Sequence, residues 1–519
     1  MSSTEMIWDV RLYADTYVDS VIQLSGTRAL RATEGVDWAS AAMATPGNLE
    51  TLQAEGFDVT SGDLAAAGAN DLFIAIRAES QQVADAAREA GEAAMFSARG
   101  GSGEAAAEKP ARTLAEAVER QPGSNVAVIS VPGDYAALEA HKALSAGLDV
   151  LLFSDNVPIE AEIELKDRAN RLGLLVMGPG AGTAMLGHTC LGFANVVNRG
   201  RVAVVAAAGT GAQEAAGLVD RWGAGVSHVI GLGGRDLNSQ VGGRMALSAV
   251  KALVEDEGTD VILLVSKPPA VEVAHAVVEA AAGKPLVAAL IGVPEDFSAP
   301  DGVVVTRTLE AGAVAAMAAV GSKAPDVTEG LVERVRELAA ELPEERKLVR
   351  GLFSGGTLCY ESLVVLADVL GDVYSNTPID KKLGLPAPEH AHTCLDLGEE
   401  EYTKGRPHPM IDPEARIELL REQGADPEVA AIILDVVLGH GAHPDPASEL
   451  APICAEIIAG GGPRVITYVL GTEQDPQGYE RQRRAFEEAG CLVTETAARA
   501  SLAAAALATR NPALAATAL

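Results

Sequence analysis

The sequence predicts an α/β protein built from several doubly wound parallel-sheet domains of the Rossmann or flavodoxin kind. Three observations carry this. Apolar runs at 202–208, 226–231, 261–266, 286–291, 432–437 and 465–470 have the length and β-branched content of buried strands. Stretches of helical length alternate with them, a pattern that gives parallel sheets covered by helices. Most of the runs end in glycine turns, and open α/β sheets bind ligands at the carboxyl ends of their strands.

Within residues 1–96, strands are expected at 9–13 and 72–77 and helices over 14–25 and 79–93, and the stretch 39–44 leads into a turn at Thr45-Pro46-Gly47-Asn48 and a helix start. This reads as an N-terminal α/β domain. The Gly/Ala/Glu-rich segment 97–109 reads as a linker. Residues 110–196 hold strands at 125–131, 150–154 and 174–177, and helices at 135–146 and 160–171. Residues 197–320 begin with the strand 202–208, which passes through Gly209-Thr210-Gly211 into a helix over 212–222. The strand 226–231 leads to Gly233-Gly234-Arg235-Asp236, and 261–266 leads to Lys267-Pro268-Pro269. The charged stretch 322–345 reads as a linker helix. In 346–519 a short strand runs into Ser354-Gly355-Gly356-Thr357, which echoes Gly209-Thr210-Gly211 as two similar halves would.

Acidic residues outnumber basic ones 72 to 40, a net charge of −32. Nucleic acid and anionic membranes both call for basic surface, so neither is an expected partner. The N-terminus is acidic and polar rather than a signal peptide, and no run of about 18 apolar residues could span a bilayer. A soluble cytoplasmic protein is expected. Aromatic residues are 4% of the chain, so the core must be built from Ala, Val and Leu. The five cysteines show no CxxC spacing, so neither a zinc site nor a disulfide framework is expected.

Two glycine turns at adjacent strand ends suggest one anion site. Helix N-termini present free N–H groups and partial positive charge to a phosphate or carboxylate. Gly209, Thr210, Gly211, Gly233, Gly234 and Arg235 are its candidate residues, with Lys267 as a further positive group. Ser354, Gly355, Gly356 and Thr357 form the same shape in the second half. The competing readings are ordinary strand-to-helix turns and ion pairs with the abundant carboxylates. In GRPHPMIDP, prolines fix an extended loop that holds His408 outward. Arg406 suits an oxyanion and His408 suits orientation or proton transfer, with Asp412 placing one of them; the alternative is a rigid surface loop. His440 and His443 lie in a glycine loop at a strand end beside Asp445, fit for phosphate, proton transfer, solvent or a metal. His141, His188 and His275 read as structural.

The segments SDNVPIEAEIELKDRA, GLLVMGP, FANV, GLGGRDL, VSKPPA, SGGTL, YTKGRPHPMIDP and LDVVLG, in this order along the chain, resemble the FdrA family. That family is a branch of the succinyl-CoA synthetase α subunit-like (acyl-CoA synthetase) superfamily. The resemblance implies a CoA-binding-like Rossmann domain at 110–196 and CoA-ligase-like domains at 197–320 and 346–519. It implies chemistry on an acyl group activated by phosphate. The chain also departs from the superfamily. It reads GVPEDFSAPDGVVVT where the synthetases carry a phosphorylated histidine in GHAG, and no ATP-grasp nucleotide domain is visible. A longer glycine-rich turn that those relatives use for CoA is not found in 110–196, so CoA is the implied cofactor but none is fixed.

The function expected is therefore that of a transferase subunit of the oxamate carbamoyltransferase type, acting on carbamoyl phosphate and oxamate. Catalysis is expected from His408, Arg406 and His440. Two alternatives stand beside it: an ADP-forming acyl-CoA synthetase subunit, and a non-catalytic scaffold or regulatory subunit. Expected partners are a small anionic substrate and further subunits, identical or distinct.

Overall fold

The computed structural model describes residues 6–96, 111–294, 297–403 and 407–519. The linker expected at 97–109 and the site candidate Arg406 lie outside the described residues. The chain divides into two units, residues 1–110 with 404–407, and the remainder.

The first unit runs β1 (Ile7–Tyr13), α1 (Ser20–Arg31), β2 (Val36–Met43), α2 (Pro46–Ala54), β3 (Leu72–Ala78) and α3 (Gln81–Phe96). Its sheet has the order β1-β3-β2, with β3 antiparallel to both neighbours. The unit is α/β, as expected, but its sheet is antiparallel, unlike the mainly parallel sheets of the second unit. The β1–α1–β2 crossover skips one position, and β3 returns into the gap; side-chain periodicity carries no record of strand order. β3 is buried on both faces. Leu72, Ile74 and Ile76 pack in a cluster with Leu30, Ala84 and Ala87. Phe73 and Ala75 face Leu52 and Phe57. Pro46 opens α2, and the Thr45 side chain accepts from Asn48 N. The first helix starts at Ser20 instead of residue 14, because 14–19 form a turn with Asp15 at φ 47°.

The second unit opens with α4 (Leu114–Arg120), β4 (Val126–Ile129), α5 (Gly133–Ser145), β5 (Asp149–Leu152), α6 (Ile159–Leu172) and β6 (Val176–Met177). The three strands form a parallel sheet. A hairpin follows, β7 (Thr183–Leu186) and β8 (Thr189–Gly192). It adds antiparallel to the edge of the next sheet.

That sheet is built from β9 (Arg199–Ala206), α7 (Gly209–Arg221), β10 (Val226–Gly231), α8 (Arg244–Glu255), β11 (Val261–Ser266), α9 (Val271–Glu279), β12 (Leu286–Leu290), β13 (Val303–Thr306) and α10 (Leu309–Ala319). Its order is β13-β12-β11-β9-β10-β7-β8. Alternate residues of one strand serve two cores: Val202, Val204 and Ala206 join one cluster, and Ala203 and Val205 another. Helix α11 (Leu331–Ala340) falls within the charged stretch 322–345.

A six-stranded parallel sheet completes the fold, in the order β15-β16-β14-β17-β18-β19. Its elements are β14 (Leu348–Phe353), α12 (Gly356–Leu370), β15 (Val373–Tyr374), β16 (His392–Asp396), α13 (Glu400–Thr403), α14 (Glu414–Ala425), β17 (Val429–Val437), α15 (Pro446–Ala459), β18 (Arg464–Leu470), α16 (Tyr479–Glu488), β19 (Leu492–Thr494) and α17 (Ala497–Thr509). Every residue of α17 from Ala497 to Ala508 is buried, as a helix apolar nearly all round must be. Its alanines let it lie close to α12 and β17.

Three glutamates sit inside this core. Glu310 pairs with Arg499 at 2.5–3.0 Å and accepts from Thr496 Oγ1. Glu214 accepts from the Tyr468 hydroxyl, and Glu361 Oε1 accepts from Leu309 N at 2.6 Å. Burial pushes Glu214 up to about 7 and Glu361 up to about 8, and Glu361 is raised further by Glu214 and Glu310. The folded protein thus keeps the Glu361 proton to about pH 8, whereas the ordinary glutamate value is 4.5. Stability should therefore fall as pH rises between those two values. Glu361→Gln keeps an oxygen for Leu309 N and cannot ionise. Its thermal midpoint should match the wild type below pH 4.5 and exceed it above pH 8, with a gain on the order of 1 kcal/mol or more.

Candidate functional site

The end of β9 delivers the chain to Gly209, and the end of β14 delivers it to Ser354. Helices α7 and α12 start there, and their first turns meet head to head. Thr357 N donates to Thr210 Oγ1 at 3.3 Å. A side chain on Gly211 would lie 2.8 Å from Thr357 Cγ2, and one on Gly355 would lie 3.1 Å from Thr210 Cβ. Gly209, Thr210 and Gly211 are thus brought together with Ser354, Gly355, Gly356 and Thr357. Gly209 is exposed and Thr210 and Gly356 are half-buried, so the junction opens to solvent.

The two helix starts differ in charge. At α12 a carboxylate of the protein already occupies the N-terminus. Asp435, from β17, accepts from Ser354 N and Gly355 N at 2.7 Å each and from Ser354 Oγ at 3.0 Å. Arg416 pairs with it at 3.1 Å. At α7 no such carboxylate is seen among the described residues. Lys267 leaves the end of β11 with its Nζ 5.6 Å from the centre of the Tyr360 ring.

Asp396, at the end of β16, is 3% exposed. Its backbone is fixed on both sides by the Asn376 side chain, at 2.9 and 2.8 Å. Oδ1 accepts from Gly398 N at 3.0 Å, while Oδ2 presses on the first residue of α12, so that a side chain on Gly356 would collide with it. Burial pushes this carboxyl up to about 6, with Lys267 opposing and Glu399 and Asp435 reinforcing the rise. His408 lies on the other side of Gly398, its Nε2 2.7 Å from where a side chain there would begin. Met410 N donates to His408 Nδ1 at 3.2 Å, so the neutral ring carries its proton on Nε2. Burial lowers the His408 pKa, which keeps it neutral near pH 7.

Other expected residues lie elsewhere. Arg235 donates to Val157 O at 2.7 Å and pairs with Glu162 at 2.9 Å. Asp236 accepts from Met245 N and Ala246 N at the start of α8, and pairs with the fully buried Lys166 at 2.8 Å. Gly233 packs its backbone against Gly178 and Pro179. The groups of this second turn are engaged by the protein's own carboxylates and backbone. His440 is exposed, and its backbone bridges to Ala194. His443 is buried, with Nδ1 accepting from Asp445 N and Nε2 3.1 Å from Glu449. Sequence reasoning missed Asp396, Asp435 and Arg416. One signal was present: Asp435 is the lone charge inside the apolar run IILDVV, and a charge there needs a partner.

Comparison with known proteins follows the same division. A family model described as "CoA-ligase" matches residues 352–507. One described as "CoA binding domain" matches 197–291, the stretch read from sequence as the first ligase-like half. A third, "AllF, heavy metal-associated domain", matches 6–111. The uncharacterized protein YahF of Escherichia coli K12 is 38% identical over 503 residues, 94% of this chain and 96% of that protein. The α subunit of an ADP-forming succinate–CoA ligase from Aquifex aeolicus is 28% identical over 189 residues, and the match spans 60% of that protein's length. Among solved structures, the dinucleotide-forming acetyl-coenzyme A synthetase 1 of Ca. Korarchaeum cryptofilum, in complex with phosphate and ADP, matches with a TM-score of 0.29 and 19% identity. That match covers 79% of this chain and 88% of the other.

The residues of the first unit do not fit a heavy metal. The sequence has no histidine before His141 and no cysteine before Cys190. Met43 and Met95 are buried in the core. Asp9 and Asp37 are paired with Arg88 and Arg77. A soft metal calls for thiolate, thioether or imidazole donors clustered on one accessible loop, and the described residues of this unit offer no such cluster.

Three substitutions test the junction. Asp435→Asn puts an amide nitrogen, which cannot accept, against the α12 N–H groups and leaves Arg416 buried without a counter-charge. It should cost about 3–5 kcal/mol in chemical denaturation. Gly211→Val should also destabilise, by driving a side chain into Thr357, while Gly209→Ala, with only Thr183 nearby at 3.7 Å, should leave the unfolding midpoint unchanged.

Proposed function

The chain belongs to the FdrA family, a branch of the succinyl-CoA synthetase α-like superfamily, and on that premise we propose that its two ligase-like halves hold a phosphate-activated acyl group between them. The observation that carries the proposal is the meeting of the α7 and α12 N-termini at one solvent-open point. Open N–H donors there attract an anion against the field of a −32 protein. In this assignment Gly209, Thr210 and Gly211, with Gly356, hold the phosphoryl oxygens and Lys267 adds positive charge. The Nε2–H of His408 donates to the acyl oxygen.

The CoA-ligase and CoA-binding domains support an acyl-CoA synthetase-like ligase, with the thiol of CoA as acceptor and nucleotide chemistry supplied by another subunit. One observation favours a second reading, carbamoyl transfer to oxamate. No histidine occurs between His275 and His390, so the synthetases' phosphohistidine loop has no counterpart. Carbamoyl phosphate is already a mixed anhydride and needs no phosphoenzyme. The oxamate amide nitrogen attacks the carbamoyl carbon, the bond to the phosphate oxygen breaks, and phosphate leaves, taking up the proton that the nitrogen loses. No described helix is long and apolar enough to cross a membrane.

The test offers the protein, alone and with any co-purifying subunits, two substrate sets: ATP, CoA and short carboxylates, or carbamoyl phosphate and oxamate. Turnover of the second set without phosphoprotein is the outcome expected of the transferase, and Lys267→Met should lower it about 10²–10³-fold. An acid-labile phosphoprotein formed from labelled ATP and lost in His408→Ala restores the ligase. Neither activity, with no anion binding, leaves the scaffold role.

A further inference from the structure

The junction holds one group that neither reading uses. Asp396 is almost wholly buried, its Oδ1 is held by Gly398 N, and its Oδ2 accepts no hydrogen bond among the described residues. That free oxygen lies at the first residue of α12, beside the open edge of the junction. The other carboxylate there, Asp435, is saturated by two backbone N–H groups, a hydroxyl and a guanidinium, so it is fixed in place. An anion lying across both helix starts would face the Asp396 carboxylate with no partner on its Oδ2, and, beyond the Arg416 already spent on Asp435, Lys267 and the helix ends to offset it. An Asp396 carboxyl that carries a proton on Oδ2 becomes a donor aimed at the same place, so one proton converts repulsion into a hydrogen bond.

We propose that the junction takes up its anion together with a proton, and that Asp396 holds that proton. This rests on the reading of the junction as an anion site and adds the ionic state in which the site works. The ligand class is a tetrahedral oxyanion, a phosphate or acyl phosphate, bound with one proton more than the free components carry.

The groups that set the balance come from every side. Lys267 at the end of β11 favours the carboxylate; Glu399 before α13 and Asp435 on β17 favour the acid. Cys359 on α12 is buried nearby and stays a thiol, and neutral His408 adds no charge. The carboxyl of Asp396, raised to about 6, is mostly ionised in the free protein at pH 7, so an arriving anion can raise it further and capture a proton.

Sulfate is the probe, because its charge is constant across the range used. Calorimetric titration of the full chain at pH 7, in buffers of different ionisation enthalpy, counts protons taken up per sulfate bound. The wild type should take up close to one, and its Kd should rise up to about tenfold per pH unit above pH 7. Asp396→Asn should take up close to none and bind sulfate at least as tightly, with a flat pH profile. The wild-type pH profile stands as a test by itself should that variant fail to fold. Sulfate binding without proton uptake, or uptake that survives Asp396→Asn, overturns the proposal and leaves the anion site intact. No sulfate binding by the wild type overturns the anion site itself, and this proposal with it.

Discussion

The β9 and β14 sheets can meet so closely because each presents a glycine to a threonine of the other. Gly211 faces Thr357 and Gly355 faces Thr210 across distances that no Cβ could share without displacement. Everything near the junction follows from this close approach. It aligns the first turns of α7 and α12, lets Thr357 N reach Thr210, and brings Lys267 of one sheet near Asp396 of the other. Helix N-termini repel one another as positive ends do, and Asp435 answers this by neutralising one of them from within.

Much of the fold was legible because parallel strands buried on both faces leave a strong signal. The strands Val226–Gly231 and Val261–Ser266 have the bounds that the apolar runs indicate. The glycine turns were also legible, since glycine marks both sharp turns and close approach. Partner choice was not. Gly233-Gly234-Arg235 and Gly209-Thr210-Gly211 look alike as strings, yet Arg235 is matched to Glu162, a residue of helix α6 some seventy positions earlier in the chain. The antiparallel sheet of the first unit was hidden for a similar reason: strand order is a long-range property. Asp396 was invisible because its neighbourhood is drawn from β11, α12 and β17, which lie far apart in the chain.

The interior is unusual in what it buries alongside its alanines and valines. Glu162, Glu214, Glu310, Glu361, Asp236, Asp396 and Asp435 are all buried, in a protein that already carries excess negative charge. They are reconciled with burial in several ways. Glu310 and Asp435 face arginines, Asp236 faces Lys166, and Glu361 keeps its proton. Small side chains make this workable, since an alanine-lined core lets helices approach until such groups can reach a donor.

The linker helix α11 joins the two halves in one polypeptide. Were they separate chains, the fraction of assembled junctions would follow their concentrations and drop on dilution. Tethering makes their encounter intramolecular, at an effective concentration in the millimolar range for a short connection. The cradle between α7 and α12 is therefore complete in each single molecule at any protein level, and its two sides are always made in a one-to-one ratio.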